Sequence, residues 1–320
     1  MTKNHGSKQD VAWIGISSAI VNSREKVDRI ANVDLPFLIQ GNHGTGKSHL
    51  ARYIHHKRFP NDSNFCLLEA EFWEDEMRVL LALLCKGKKC KKIANNHYQI
   101  SAITLFWRNL QIMPISFQRR LNKLLLTGQY QEGDTLYTFQ QVSYLFASTP
   151  ELIENIRQEK FLEELYSRLH TVRFLLPDLQ NRREDIAPLV NYYIAYYAQK
   201  YSKTVLGLSK DLTNFFLEYS WPGNVRQLCN LLETLVILYQ EGELCKADIP
   251  DSFYQDSASL ATRKLGVLPG VPLQEYEKAI ILENLNFVGG NRARAADLLG
   301  ISERTLYRKI NSFGWGKGEV

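Results

Sequence analysis

The chain has 320 residues, 45% of them hydrophobic, so it can bury a sizeable core and is expected to form two or three domains. Its net charge of +5 suits contact with nucleic acid but does not establish it. The five cysteines include no C-x-x-C pair, which indicates reduced thiols and no metal site. The N-terminus is polar and no apolar run reaches roughly 18 residues, which predicts a cytoplasmic protein without membrane contact.

After a polar tail at residues 1–10, residues 11–177 alternate helical patterns with short apolar runs. The runs begin at Pro36, Phe65, Ile103, Tyr144 and Val172. Strands that alternate with helices predict an α/β fold, in which helices cover both faces of a parallel sheet.

A phosphate-binding signature directly follows the first apolar run. Residues 41–48 read GNHGTGKS, which matches G-x-x-x-x-G-K-[ST], and a helical pattern continues from it. Main-chain N–H groups at the start of such a helix meet phosphate oxygens, the lysine reaches the β- and γ-phosphates, and the serine can assist Mg²⁺. A relic loop, whose glycines serve only the turn, is the alternative interpretation. The nucleotide-binding residues predicted here are Gly41, Gly44, Thr45, Gly46, Lys47 and Ser48.

Residues 178–250 predict a helical subdomain, because the strand patterns stop. Amphipathic helices are expected over residues 184–201, 209–219 and 224–240. Asn224 ends a Trp-Pro-Gly-Asn turn and is expected to cap the third helix. Residues 251–272 are rich in Ser, Gly and Pro and are expected to form a linker.

Residues 273–320 predict a helix-turn-helix domain. Ala295 and Ala296 allow two helices to cross closely, Gly300 permits a tight turn, and Ser302 can cap the second helix. The exposed face of that second helix suits phosphates and base edges of double-stranded DNA. Such modules usually bind as dimers, although a helical hairpin with a solvated basic face is the alternative. The predicted DNA-binding residues are Arg292, Ser302, Glu303, Arg304, Thr305, Tyr307, Arg308 and Lys309.

Together these signals resemble the NtrC-like AAA+ enhancer-binding activators, which act on sigma-54 holoenzyme and carry a Fis-type helix-turn-helix. The resemblance covers nearly the whole chain. Besides the P-loop and the helix-turn-helix, it depends on FLEELYSRL at residues 161–169, RREDI at residues 182–186 and WPGNVRQL at residues 221–228. It implies a P-loop AAA+ domain with a helical lid, a homodimer or higher oligomer, and binding of ATP or ADP.

The resemblance also assigns roles to two arginines outside the P-loop. Arg226 matches the lid arginine that contacts the γ-phosphate, and Arg168 matches an arginine that acts on the nucleotide of a neighbouring subunit. RNA polymerase, or a related AAA+ activator, is a further partner that the resemblance implies.

The chain departs from the family where catalysis occurs. In place of TLFLDEI, residues 104–110 read TLFWRNL, so Arg108 and Asn109 replace the aspartate that holds Mg²⁺ and the glutamate that orients water. We expect nucleotide binding without efficient hydrolysis and little affinity for Mg²⁺. The GAFTGA loop, which contacts sigma-54, is missing, and the lysine-rich segment at residues 86–92 lies in that region.

Three functions are consistent with the sequence. The first is a DNA-binding transcription regulator with a degenerate AAA+ domain that does not remodel sigma-54 holoenzyme. The second is an anti-activator that forms mixed oligomers with a competent AAA+ activator. The third is a weak ATPase that uses another acid, such as Glu69 or Asp134. The lysine-rich segment could contact nucleic acid or polymerase, or form only a solvated loop.

Overall fold

The computed structural model describes residues 13–60, 64–86, 90–239, 242–250, 253, 277–278, 280–281, 284–285 and 292–312, without the side chains of residues 297, 311 and 312. It divides into two compact units, residues 1–250 and residues 251–320. The tail predicted at residues 1–10 and all but residue 253 of the linker predicted at residues 251–272 lie outside the described residues.

Within the described part of the first unit, seven strands form one sheet. Five are parallel, in the order β2-β4-β6-β1-β7, while β3 pairs antiparallel with β4 and β5 pairs antiparallel with β6. The strands are β1 (Phe37–Gln40), β2 (Asn64–Glu69), β3 (Cys90–Ala94), β4 (His97–Arg108), β5 (Gln129–Glu132), β6 (Thr135–Ser148) and β7 (Val172–Leu175).

Helices cover both faces of this sheet. Because neighbouring residues of a strand point to opposite faces, Leu38 of β1 packs in one core cluster and Phe37 and Ile39 in another. The predicted α/β fold is therefore confirmed. The helices packed around the sheet are α1 (Ser18–Ile30), α2 (Lys47–Arg58), α3 (Trp73–Lys86), α4 (Ile115–Thr127), α5 (Leu152–Arg157) and α6 (Glu163–Leu169).

The strands β3 and β5 have no counterpart in the sequence prediction, and each forms a hairpin with the strand that follows. The reason is that β3 reads CKKIA and is mostly exposed, so it lacks the apolar run that would indicate a strand. Lys86 ends α3, while Lys91 and Lys92 lie exposed on β3. The interpretation of the lysine-rich segment as a simple loop is therefore wrong for its described part; residues 87–89 lie outside the described residues.

A helical lid follows β7. It consists of α7 (Ile186–Lys200), α8 (Lys210–Glu218) and α9 (Asn224–Leu238), close to the predicted bounds. The expectation that Asn224 caps α9 is wrong, because its buried side chain bonds to two other loops: Oδ1 accepts from the Leu179 N–H at 2.7 Å, and Nδ2 donates to the His43 carbonyl at 2.9 Å. Asn224 thus joins the lid to the P-loop.

The second unit contains the predicted helix-turn-helix. The helices α10 (Arg292–Leu298) and α11 (Glu303–Ser312) are joined at Gly300, whose φ of +64° suits glycine. The Thr305 N–H donates to Ser302 Oγ at 3.2 Å, which confirms the cap. The buried core of the described part of the second unit consists of Ile281, Leu285, Ala295, Ala296, Leu306 and Ile310.

Across the described residues of both units, no helix combines the length and apolar character that crossing a membrane requires.

Candidate functional site

A cavity of about 490 Å³ opens between the P-loop and the lid. The P-loop joins β1 to α2, and its Gly41 N–H donates to the Ser148 carbonyl at the end of β6 at 3.2 Å. The ends of β4 and β6 therefore meet the P-loop at one edge of the sheet, as expected for a ligand site in a parallel α/β fold. The start of α9 closes the opposite wall.

The main-chain conformation and packing of the P-loop require glycine at two positions. Gly46 has φ of +105° at the start of α2, a conformation that side chains strongly disfavour. Gly44 has φ of +78°, and a Cβ atom there would lie 2.1 Å from the Gly223 carbonyl oxygen of the lid. The Arg226 N–H donates to the Gly44 carbonyl at 3.3 Å. The lid is therefore in direct contact with the phosphate-binding loop.

Lys47 is a partly buried cation that lines the cavity. Its Nζ donates to the carbonyls of Gly41 and Asn42 at 2.7 and 2.8 Å. Burial, together with repulsion from Arg226, lowers the pKa of Lys47 to about 8, against the opposing attraction of Asp178. A phosphate beside this ammonium would favour its charged form.

Arg182 is a site residue to which the sequence prediction gave no role, although it lies in the quoted RREDI segment. Its Nη2 donates to the Thr45 carbonyl at 2.7 Å, and its Nη1 lies 3.8 Å from Asp185. The side chain is buried and lines the cavity, and burial lowers the pKa of its guanidinium. Its Nε atom is buried and has no hydrogen-bond partner in the part of the chain that the structure describes. Arg182 thus fixes the P-loop main chain from the lid side.

The cavity also has an apolar part of its lining, which the sequence prediction missed. It is formed by Trp13, Ile14, Leu189 and Tyr193. The buried carboxylate of Asp185 anchors the segment that carries the first two, because it accepts hydrogen bonds from the N–H groups of residues 16 and 17 at 2.6 and 2.7 Å. Flat apolar surface beside a phosphate-binding loop suits a nucleoside base.

Arg108 and Asn109, at the end of β4, form a network with Glu69 at the end of β2. Arg108 and Glu69 are opposite each other in the pairing of β4 with β2, and Arg108 Nε donates to Glu69 Oε1 at 2.7 Å. Arg108 Nη2 contacts the same oxygen, and Asn109 Nδ2 donates to Glu69 Oε2 at 3.2 Å. Both Arg108 and Asn109 line the cavity. Each carboxylate oxygen of Glu69 therefore already has a partner.

Not all predicted nucleotide-binding residues meet in this cavity. Gly44, Thr45, Gly46, Lys47, Ser48 and Arg226 line it. Gly41 is not among the lining residues, although its carbonyl accepts from Lys47 Nζ. Arg168 does not line the cavity either: Arg168 Nε donates to Asn122 Oδ1 at 3.1 Å, and its Nη2 lies 3.6 Å from Glu164. The role predicted for Arg168 at a neighbouring subunit remains a prediction.

In the second unit, most of the predicted DNA-binding residues are exposed. Arg304, Tyr307 and Arg308 project from α11 into solvent. Lys309 is more enclosed, since its Nζ donates to Glu277 of the preceding helical segment. Ser302 and Thr305 bond to each other at the helix cap, 2.8 Å apart. These contacts favour Arg304 and Arg308 as the cations available to a phosphate. The remaining exposed members of the set are Arg292 and Glu303.

Comparisons with known proteins agree with this geometry. The family model described as the Sigma-54 interaction domain matches residues 13–175, the AAA+ ATPase lid domain matches residues 180–265, and the bacterial regulatory protein, Fis family, matches residues 272–313. The transcriptional regulatory protein ZraR of Salmonella typhi is 28% identical over 316 residues, which is 95% of this chain and 69% of that protein. The DNA-binding transcriptional regulator NtrC of Rhizobium meliloti is 28% identical over 351 residues, 96% of this chain and 71% of that protein.

Solved structures show the same fold. The crystal structure of NtrX from Brucella abortus in complex with ATP has a TM-score of 0.59 and 26% identity, over 94% of this chain and 69% of that one. The complex of the same protein with ADP has a TM-score of 0.63 and 23% identity, over 95% of this chain and 70% of that one. On the match over more than half of its length, this chain belongs to the Sigma-54 interaction domain family of AAA+ transcription regulators, with an AAA+ lid and a Fis-type helix-turn-helix.

Proposed function

We propose that this protein is a sequence-specific DNA-binding regulator of transcription whose AAA+ domain binds ATP or ADP, hydrolyses ATP poorly and does not remodel sigma-54 holoenzyme. The observation that carries the proposal is the cavity itself, which combines an intact P-loop with Arg108 and Asn109 at the positions of the family's acids.

Nucleotide binding is supported by the fit of the cavity to the ligand. The P-loop glycines and Lys47 can contact phosphates, Arg226 approaches from the lid, and Trp13 and Tyr193 offer surface for a base. NtrX, which is similar to this chain, has been crystallised with ATP and with ADP.

The residues do not fit the Mg²⁺ ion that normally accompanies ATP. Mg²⁺ prefers oxygen ligands, carboxylates above all, whereas no Asp or Glu is among the described residues that line the cavity. Arg108 would repel the ion, and Asn109 cannot accept a proton from an attacking water. Poor hydrolysis is expected, because positioning and charge neutralisation supply nearly all of the catalysis in phosphoryl transfer.

Neither substitute acid is well suited to replace the missing pair. Both oxygens of Glu69 bond to Arg108 and Asn109. Asp134 precedes β6, which has 14 residues and meets the P-loop at its far end. At 3.3 Å per residue, this strand separates Asp134 from the P-loop by about 45 Å.

The absence of sigma-54 remodelling is supported by the segment between β2 and β4. The sequence contains no GAFTGA segment. The chain passes through α3 and, three residues later, enters the short strand β3. The contact by which the family acts on sigma-54 has no counterpart in this sequence.

The test is ATP turnover by the full chain with Mg²⁺, with and without duplex DNA, beside Lys47→Ala. We expect no phosphate release above that of Lys47→Ala, while ATP binding is still detected by calorimetry. If the wild type hydrolyses ATP and Lys47→Ala abolishes that turnover, the interpretation that Arg108 and Asn109 prevent efficient hydrolysis is refuted.

A second candidate, an anti-activator in mixed oligomers, is favoured by one observation. Arg168 lies outside its own cavity with 32% of its side chain exposed, so it can reach a neighbouring subunit. Titrating this protein into a competent AAA+ relative distinguishes the two functions. Inhibition of the relative's ATPase that Arg168→Ala relieves would support mixed oligomers, and unchanged turnover would exclude them.

A further inference from the structure

We propose that Arg108 takes the place of a divalent cation beside the phosphates, so that this protein binds its nucleoside triphosphate as the metal-free anion. This inference rests on the proposed nucleotide binding and specifies the form of the ligand.

The charged side chains that line the cavity all have the sign that an anion requires. Among the described residues that line it, the cationic ones are Lys47, Arg52, Arg108, Arg182 and Arg226, and none is acidic. A polyphosphate that enters this cavity exchanges its hydration for several charge-assisted hydrogen bonds. Mg²⁺ cancels part of the negative charge of ATP, so the ion would weaken the attraction to these cations.

Arg108 is held in place before any ligand arrives. Glu69 accepts from its Nε at 2.7 Å and contacts its Nη2, while the Glu69 side chain is only 20% exposed. Nη1 has no hydrogen bond to any described residue, and 37% of the Arg108 side chain remains exposed where it borders the cavity. A guanidinium positioned in this way loses little conformational entropy when it binds phosphate.

The same network works against a metal ion. To use Glu69 as a ligand, Mg²⁺ would have to displace Arg108 and Asn109, and it would then lie within a few ångströms of the displaced guanidinium. Glu76 does not offer an alternative, because it accepts from the Glu69 N–H and burial raises the pKa of its carboxyl group. The neighbouring acids are therefore already engaged.

The experiment measures ATP and ADP affinity of the full chain by titration calorimetry in MgCl₂ and in EDTA, at equal ionic strength. We expect the wild type to bind ATP in EDTA at least as tightly as in MgCl₂. Arg108→Gln should weaken binding in EDTA by about tenfold or more, the loss expected for one hydrogen bond to a charged group. Arg108→Asp should reverse the preference and require Mg²⁺, because it adds a carboxylate beside Glu69.

Two further variants separate this role from a structural one. Arg108→Lys keeps the charge and should retain part of the affinity in EDTA. Arg157→Gln removes an exposed arginine on α5, outside the cavity, and should leave both affinities unchanged.

Three results would overturn the inference. The first is a wild-type affinity at least tenfold lower in EDTA than in MgCl₂, a comparison that needs no variant to fold. The second is an affinity in EDTA that Arg108→Gln leaves unchanged. The third is no binding of either nucleotide in either buffer, which would also overturn the proposed nucleotide binding, whereas the first two would leave that binding intact.

Discussion

Replacement of Asn224 by alanine tests whether the lid is held to the P-loop through a single buried amide. The side chain is 1% exposed and joins Leu179 to His43 through two hydrogen bonds. Asn224→Ala leaves the buried Leu179 N–H without its partner, at about 1–3 kcal/mol, and removes the hydrogen bond to the partly buried His43 carbonyl, at about 1 kcal/mol. We therefore expect a loss of about 2–4 kcal/mol in the free energy of unfolding of the first unit.

Thermal unfolding of the full chain measures this loss. For a unit of this size, each kcal/mol lowers Tm by about 2–4 °C, so Asn224→Ala should lower Tm by about 5–15 °C. Nucleotide affinity should fall as well, because Arg226 reaches the cavity through the same helix, α9.

Two variants separate the hydrogen bonds from other effects. Asn224 has φ of +55°, which glycine tolerates, so Asn224→Gly should be destabilised about as much as Asn224→Ala if the lost bonds dominate. Asn214→Ala makes the same change on the exposed face of α8 and should lower Tm very little. A Tm for Asn224→Ala that matches that of Asn214→Ala would refute the reasoning.

Three more predictions concern the cavity and α11. Because burial lowers the pKa of Lys47 to about 8, its ammonium loses its proton between pH 7.5 and 9, and ATP affinity measured by calorimetry should fall about eightfold over this range. Lys47→Arg should make the affinity nearly independent of pH over the same range. Gly44→Ala places a Cβ atom 2.1 Å from a lid carbonyl and should abolish nucleotide binding, while Gly133→Ala, which meets nothing within 4 Å, should keep it. Arg304→Ala should weaken binding to duplexes selected from a random-sequence pool by about tenfold in anisotropy titrations, whereas the control Arg157→Ala should not. If the two variants change DNA affinity equally, a DNA role for α11 is contradicted.

The sequence predicted the parts of the cavity that local patterns determine. The P-loop signature fixes a strand, a tight loop and a helix N-terminus in succession, so the position of Lys47 followed directly from it. The helix-turn-helix could also be predicted from local patterns, because its signals lie within one short segment. They include the small residues Ala295 and Ala296 and the cap at Ser302. Agreement between capping, turn and packing signals makes such predictions reliable.

The ion pair between Glu69 and Arg108 could not be predicted, because it depends on long-range pairing. The two residues are 39 positions apart in sequence and become neighbours only through the parallel register of β2 and β4. From the sequence, Arg108 was interpreted as the replacement of a family aspartate, and Glu69 as a possible substitute acid. In the structure the carboxylate of Glu69 stabilises the arginine that lines the cavity.

The role of Asn224 was missed for a related reason. Asparagine before a helical pattern favours capping of that helix, and this local preference was the only information in the sequence. In the structure the same amide joins two loops that lie 45 and 181 positions away, where it bonds to the buried Leu179 N–H and to the partly buried His43 carbonyl. Tertiary hydrogen bonding therefore overrides the capping preference.

If nucleotide is bound without hydrolysis, as we propose, it can act on this molecule only as an equilibrium ligand. The contacts of Gly44 and Asn224 with the lid and the P-loop join the cavity to α9, so a bound nucleotide and the lid are expected to stabilise each other. When ATP is not hydrolysed, the ligand can change the populations of two protein states only by the difference between its affinities for those states. Any effect of nucleotide on DNA binding should then follow nucleotide concentration reversibly and should be the same for ATP and for a non-hydrolysable analogue of equal affinity.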